Sequence, residues 1–480
     1  MAETRLNNAK DREGRCRAEQ EHCGDKNGHM AVEFYQLCNA GFAVAVPRFG
    51  KILTSMLSRW GTLGICILGL SMLCACASAE VPAQASLDGQ EALEPTAFQP
   101  MNSAASYGDP GPVPAPTASP SLEPAFESDV SVADADVAAS DWPLNPLTGL
   151  PAPDPALLER RPLAIKISNY PRDIRPQYGL NEADVVFEYY IEWGYTRFIG
   201  IFLGNDASQI GPVRSGRYFD EHITRMYHAY YVFNYADPRE YTYFLGGELQ
   251  GFMVVPGYGS CPPFFQHRVS SLITDVRHYE TFFDSTRFAD CLARKSGDNS
   301  RPNLRGTAFS ASPPAAGATV ERIFTHYSRC DYNYWEYDAP AARYLRYQEA
   351  SASKDLRYIN NCVDDPQTYS PLVDSVSRDQ VFADNVVVIY VAHTFANASE
   401  QDDEIYHIDL IDSGRAYVFR DGLGLPARWV RTDINQPLII TTPSGEPLAL
   451  RPGRTFFQVL GETSDEWSDG ADWHFDFHTP

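Results

Sequence analysis

The chain has 480 residues and a formal net charge of −23, a balance that excludes general binding to phosphate backbones and favours cations, cationic partners or plain solubility. Hydrophobic residues at 44% and charged residues at 21% leave room for a sizeable folded core. Its 27 Tyr and 26 Phe favour strands, so a β-rich body is expected.

Residues 1–55 are polar, contain Cys16, Cys23 and Cys38, and make too long a leader for export. Met56-Leu57-Ser58-Arg59 opens a compact signal instead, so 1–55 are expected to be a mis-assigned N-terminal extension. Cys16, Cys23 and His29 match no closed zinc spacing. Residues 61–77 form an uncharged apolar run behind Lys51 and Arg59, as in the core of a signal peptide. The run ends in Leu73-Cys74-Ala75-Cys76, which resembles a bacterial lipobox. That resemblance implies a signal peptide over 56–75, cleavage before Cys76 and thioether lipidation of its sulfur. An uncleaved membrane anchor is the alternative, and both place the remainder outside the membrane. Residues 76–141 are rich in Ala, Pro, Ser and Glu and read as a disordered tether.

The folded part begins near Trp142. Strand-period alternation predicts strands over 162–168, 184–191, 196–203 and 230–235. Apolar residues at three-to-four spacing predict helices over 214–228 and 276–294. The second helix counts Phe282 and Phe283 in its stripe. Residues 297–317 read as a connection. The second half then shows short strands over 320–326, 333–337, 343–348, 385–393, 406–411, 416–419, 429–431, 438–441 and 455–460. Asp421-Gly422 and Ser444-Gly445 are hairpin signals. The acidic tail, 463–480, is expected to be loosely ordered.

Several motifs resemble the DUF3048-domain, YerB-like lipoproteins. They begin with Asn145-Pro146-Leu147-Thr148-Gly149-Leu150-Pro151 and continue with Arg161-Pro162-Leu163-Ala164-Ile165-Lys166-Ile167-Ser168-Asn169. Arg175-Pro176-Gln177-Tyr178-Gly179-Leu180, Ala183-Asp184-Val185-Val186-Phe187-Glu188 and Thr196-Arg197-Phe198 follow in order, then Ile210-Gly211-Pro212-Val213-Arg214-Ser215-Gly216-Arg217. Later matches are Asp384-Asn385-Val386-Val387-Val388, the run from Gly414 to Gly422, and Pro452-Gly453-Arg454-Thr455. The family's His-x-Asp before the Asn-Val-Val strand is replaced by Lys354-Asp355-Leu356-Arg357. The resemblance implies an α+β fold: a mixed α/β N-terminal domain over 142–300 and a β-rich C-terminal domain over 318–462. It supplies no activity, because the family name records an unknown function.

The leading candidate site is Gly211 to Arg217 entering a helix. Helix amides attract anions, and Arg214 and Arg217 add guanidinium forks, with Ser215 as a cap or anion donor. The competing reading pairs both arginines with Asp184, Glu188 or Glu192. Those acids fall on one strand face, with Glu188 and Glu192 about 13 Å apart along the chain. Glycosidase carboxylates lie about 5–9.5 Å apart, so salt bridges to Arg175 or Arg197 are favoured over an acid–base pair. The candidate ligand set is therefore Arg175, Glu188, Arg197, Arg214, Ser215 and Arg217, with no catalytic residue assigned.

Gly257-Tyr258-Gly259-Ser260-Cys261 with His267 only faintly suggests a cysteine nucleophile. Beyond Cys76 the cysteines are Cys261, Cys291, Cys330 and Cys362, an even set suited to disulfides outside the cell. Cys261–Cys291 with Cys330–Cys362 is the favoured connectivity, because each stays in one region. His474 and His478 would seat a metal only on a helix, and Asp364-Asp365 and Asp402-Asp403-Glu404 lack a calcium-loop pattern. No cofactor or metal motif and no nucleic-acid partner is expected. The expected role is an extracytoplasmic, lipid-anchored protein that binds an envelope ligand or partner. The alternative is an envelope hydrolase acting on wall polymer.

Overall fold

The computed structural model describes residues 143–256, 258–259, 263–268, 279–350, 368–397 and 404–479. The first half supplies strands β1 (Leu163–Ser168), β2 (Val185–Glu192), β3 (Tyr195–Phe202), β4 (Tyr230–Val232), β5 (Met253–Val255), β6 (Tyr258–Gly259), β7 (Phe264–Gln266) and β8 (Thr281–Phe283). The α-helices among the described residues are short: α1 (Phe219–Met226), α2 (Pro238–Gly246) and α3 (Phe288–Arg294). The second half adds β9 (Ala318–Thr319), β10 (Arg322–His326), β11 (Tyr332–Asp338), β12 (Arg343–Glu349), β13 (Tyr369–Pro371), β14 (Phe382–Ala383), β15 (Asn385–Phe395) and β16 (Tyr406–Asp409). It ends with β17 (Asp412–Arg420), β18 (Leu423–Arg431), β19 (Ile439–Thr441), β20 (Thr455–Gly461), β21 (Asp465–Asp469) and β22 (Asp472–Asp476).

One large mixed sheet runs β19-β18-β17-β15-β20-β2-β3-β1-β4-β5-β6, with β16 and β9 attached to β15 and β18. A second sheet runs β13-β12-β11-β10-β22-β21, with β14 on β12. The central strands β1, β2, β15 and β20 are buried almost throughout, because both faces of the large sheet are covered. Strands covered on both faces read as nearly continuous apolar runs, as in Val386-Val387-Val388-Ile389. On one face α1 packs Phe219 against Tyr189 at 4.8 Å, and Phe187 stacks on Phe457 at 4.5 Å. On the other face the second sheet packs Trp335 of β11 against Phe456 at 4.8 Å.

This architecture corrects the expected α+β fold with a mixed α/β N-terminal domain. The chain is strand-rich in both halves, and the large sheet draws on both. Strand β20, from near the C-terminus, lies between β2 and β15 and is parallel to each. The helix expected over 214–228 is reduced to the eight residues of α1. Its first part instead continues from the Val213–Ile167 bridge into a bridge between Gly216 and Ala236. In the second expected helix, Phe282 and Phe283 belong to β8, opposite Phe265 and Phe264, and the helix starts only at Phe288. Aromatic stripes too short to fix a period fit either element.

The tail is also corrected. Residues 465–476 form the β21–β22 hairpin, and β22 pairs in parallel with β10. Phe475 is fully buried, and Phe477 stacks on Tyr190 at 4.7 Å. The Asp421-Gly422 signal is a tight hairpin turn joining β17 and β18, with φ of +54° and +72°.

Candidate functional site

Strand alternation divides the candidate residues between the two faces of the large sheet. Lys166 lies opposite Ile199, and Tyr189 opposite Arg197, so Lys166, Tyr189 and Arg197 share the face under α1. Glu188 lies opposite Phe198 and points to the other face. An irregularity in pairing between Tyr190 and Glu192 then reverses the alternation. Glu192 therefore meets Arg197 and Arg217, not the face of Glu188. The carboxylates expected on one face are separated by this bulge.

Under α1, Asp220 gathers most of the polar groups. It pairs with Lys166 Nζ at 3.0 Å and accepts from the hydroxyls of Tyr189 (2.6 Å) and Tyr231 (2.5 Å). It also accepts from the Arg217 amide at 2.8 Å, and the Tyr218 amide donates to Glu240 at 3.3 Å. Amides at the start of α1 are thus engaged by the protein's own carboxylates. Ser215 does not cap the helix; its carbonyl accepts from Arg197 Nη1 at 3.0 Å. Arg217 pairs with Glu192 and, at 3.5 Å, with Glu240. The Arg214 amide donates to the Lys166 carbonyl at 3.0 Å, and its guanidinium lies 4.3 Å from the Tyr279 ring centre.

Burial dominates the ionisation of this cluster. It pushes the Lys166 amine down to about 7 against the pull of Asp220, with Arg197 and Arg217 adding repulsion. Burial and then Arg217 lower Arg197 to about 9. Burial raises Glu240 to about 7 despite Arg217. Burial also opposes charge on Glu192 and Arg217, but their mutual attraction outweighs it and holds both firmly ionised.

On the opposite face, Glu188 and Arg175 join a separate network between the sheets. Arg346 pairs with Glu188 at 2.8 Å, both side chains fully buried. The guanidinium of Arg346 sits within 5.1–5.3 Å of the Phe198, Trp335 and Phe456 ring centres. The Thr196 hydroxyl donates to Glu188 at 2.9 Å, and its backbone amide donates to Asp331 at 2.8 Å. Arg175 binds Glu349 at 2.6 Å and Asn169 Oδ1 at 3.1 Å, and Asn169 donates to Glu188 at 3.3 Å. Burial raises Glu188 above the usual carboxylate range against the attraction of Arg346. Arg346, Asp331 and Glu349 were not singled out from the sequence. Alternation in β12 hid Arg346, because Arg346 and Gln348 turn inward with Tyr344 while Leu345 and Tyr347 are only half-buried.

Beside the first cluster, a cleft of about 340 Å³ opens between α1, α2 and the β15–β16 pair. Tyr218, Tyr243 and His407 are among its walls, with Glu221, His222 and Asp409. Tyr218 continues directly from Arg217, so the charged cluster backs this cleft through Glu240. No sequence reading singled it out, because its walls come from segments nearly two hundred residues apart.

Cys76, Cys261 and Cys362 lie outside the described residues, as do Asp364, Asp365, Asp402 and Asp403. Cys330 is buried and Cys291 partly so. His474 sits in β22, stacked between Phe324 and Trp467, whereas His478 faces Asp465 at 3.7 Å. The helical spacing that a metal would need is therefore not formed.

Residues 147–256 match the N-terminal domain, and residues 323–457 the C-terminal domain, of the family described as protein of unknown function DUF3048. The chain is 23% identical over 323 residues to the "Putative lipoprotein YerB" of Bacillus subtilis (strain 168), covering 66% of this chain and 85% of that protein. Its fold is similar to the crystal structure of YerB from Bacillus subtilis, with a TM-score of 0.52 and 20% identity over 66% of this chain and 96% of that one. With both domains matched in order, the chain belongs to the DUF3048 family.

Proposed function

We propose that this chain is an exported lipoprotein, acylated at Cys76, whose body binds a small ligand on the outer face of the cell membrane. A signal peptide at 56–75 and a tether at 76–141 are supported by the lipobox residues and by the lipoprotein name of the Bacillus subtilis relative. A division into regions 142–300 and 318–462 is supported by the two matched family segments. The Cys261–Cys291 and Cys330–Cys362 pairing is supported by the even number of cysteines beyond Cys76.

The observation that carries the binding reading is the cleft walled by Tyr218, Tyr243 and His407. Concave sites with aromatic walls and a few polar groups are where small ligands gain affinity. In this reading Arg197, Arg214, Ser215 and Arg217 form the rigid support behind it, while Glu188 and Arg175 lock the two sheets together. A thermal-shift screen of small molecules on the detergent-solubilised full chain tests this. A ligand held at a hundred times its Kd stabilises by about 2.7 kcal/mol. A ligand that raises Tm in the wild type but not in Tyr243→Leu is expected. Hits unaffected by Tyr243→Leu, or no hits at all, would overturn it.

A further inference from the structure

We infer that the cleft takes an organic ammonium ion, an inference that rests on the cleft being the ligand site. Tyr218 and Tyr243 stand nearly perpendicular, at 83° with ring centres 5.1 Å apart, and form two walls. His407 lies 4.5 Å from Tyr218 and continues the aromatic lining. Aromatic faces are electron-rich and hold ammonium groups by cation–π attraction. The Tyr243 hydroxyl donates to Glu221 at 2.5 Å, which fixes the ring and places a carboxylate beside it. Asp409, exposed on β16, adds a second carboxylate to the lining.

The neighbouring cations are already committed. Arg225 pairs with Glu221 at 3.3 Å and Glu248 at 2.8 Å. Arg431 donates to the carbonyls of Leu410, His222 and Gln436 at 2.8–3.0 Å. Burial, then Arg431, lowers His222 to about 3, so it adds no charge near neutral pH. The cleft therefore combines the Tyr218, Tyr243 and His407 rings with Asp409 and the Arg225-paired Glu221, beside Ala392, Thr394 and Ile408, within a chain of net charge −23. Among the described residues no group of His, Cys, Asp and Glu is arranged to hold a metal ion. An organic cation, which needs ring faces and not an inner shell of ligands, suits the cleft better than a bare ion. Its volume of about 340 Å³ lies at the lower end for small-molecule sites.

Choline and its neutral isostere 3,3-dimethylbutan-1-ol separate charge recognition from shape. Calorimetric titration of the detergent-solubilised full chain is expected to show saturable choline binding and none of the alcohol. Tyr218→Leu and Asp409→Asn should each weaken choline about fivefold or more, while Tyr218→Phe retains it. Both sites are at least partly exposed, and an unchanged Tm confirms that the variants fold. Equal binding of the alcohol, or no saturable choline binding, would overturn the inference. If neutral hits from the thermal-shift screen are lost in Tyr243→Leu while choline is silent, the cleft stands as a site and only the ammonium assignment falls.

Discussion

Replacing Arg346 by Met removes the cation facing Glu188 while filling much the same volume. Both side chains are fully buried, and Glu188 would be left with Thr196 and Asn169 as its donors. Stranding one partner of a buried pair costs about 3–5 kcal/mol. At about 2 °C per kcal/mol for a body of this size, Tm should fall by roughly 6–10 °C. The double variant Glu188→Gln with Arg346→Met should recover most of this loss, since replacing both members of such a pair is nearly neutral. The loss in Arg346→Met should also shrink as pH falls. Burial already raises Glu188, and without Arg346 its folded pKa rises further above the ordinary value of 4.5. The folded state then binds more protons than the unfolded state between these two values, so stability falls as pH rises through that window. Urea unfolding followed by tryptophan fluorescence suits the measurement, because Trp335 flanks the guanidinium at 5.3 Å. A double variant as unstable as Arg346→Met, or a single-variant loss below about 1 kcal/mol, would refute the reasoning.

Lys166, lowered from 10.5 to about 7 by burial, binds fewer protons when folded, so wild-type stability should rise relative to Lys166→Met between pH 7 and 9.5; parallel pH profiles by chemical denaturation would contradict this. Phe475→Ala should cost about 3–5 kcal/mol in urea unfolding, since the side chain is fully buried where the tail joins the second sheet. A change within about 0.5 kcal/mol would show that the tail is dispensable. Gly453→Ala should lower stability by about 1–3 kcal/mol, because Gly453 has φ +145° and an added Cβ would meet the Asp384 carboxylate at 2.1 Å. An unchanged Tm would contradict that geometry.

Much of the strand framework was legible. The alternation around 184–191 and 196–203 marked β2 and β3, and the runs near 385–393 and 455–460 marked β15 and β20. Their neighbours in space were not legible, because β20 slots between β2 and β15 from far along the chain. The ion pairs between Arg217 and Glu192 and between Arg175 and Glu349 follow the same division. The first joins residues close in sequence and was among the pairings anticipated; the second needs β12, 174 residues on. The bulge between Tyr190 and Glu192 defeated the expected shared face, since one irregular residue reverses all later side chains. The cleft was invisible for a related reason: no local pattern brings His407 to Tyr218.

Intact-mass and N-terminal analysis of the mature protein, purified from the membranes of the cells that make it, tests most directly where it works. The expected product starts at Cys76 and carries a diacylglyceryl group on that sulfur, which Cys76→Ala abolishes together with membrane retention. A mature chain with residues 1–75 intact, an unmodified Cys76 and recovery in the cytosol would contradict the assignment.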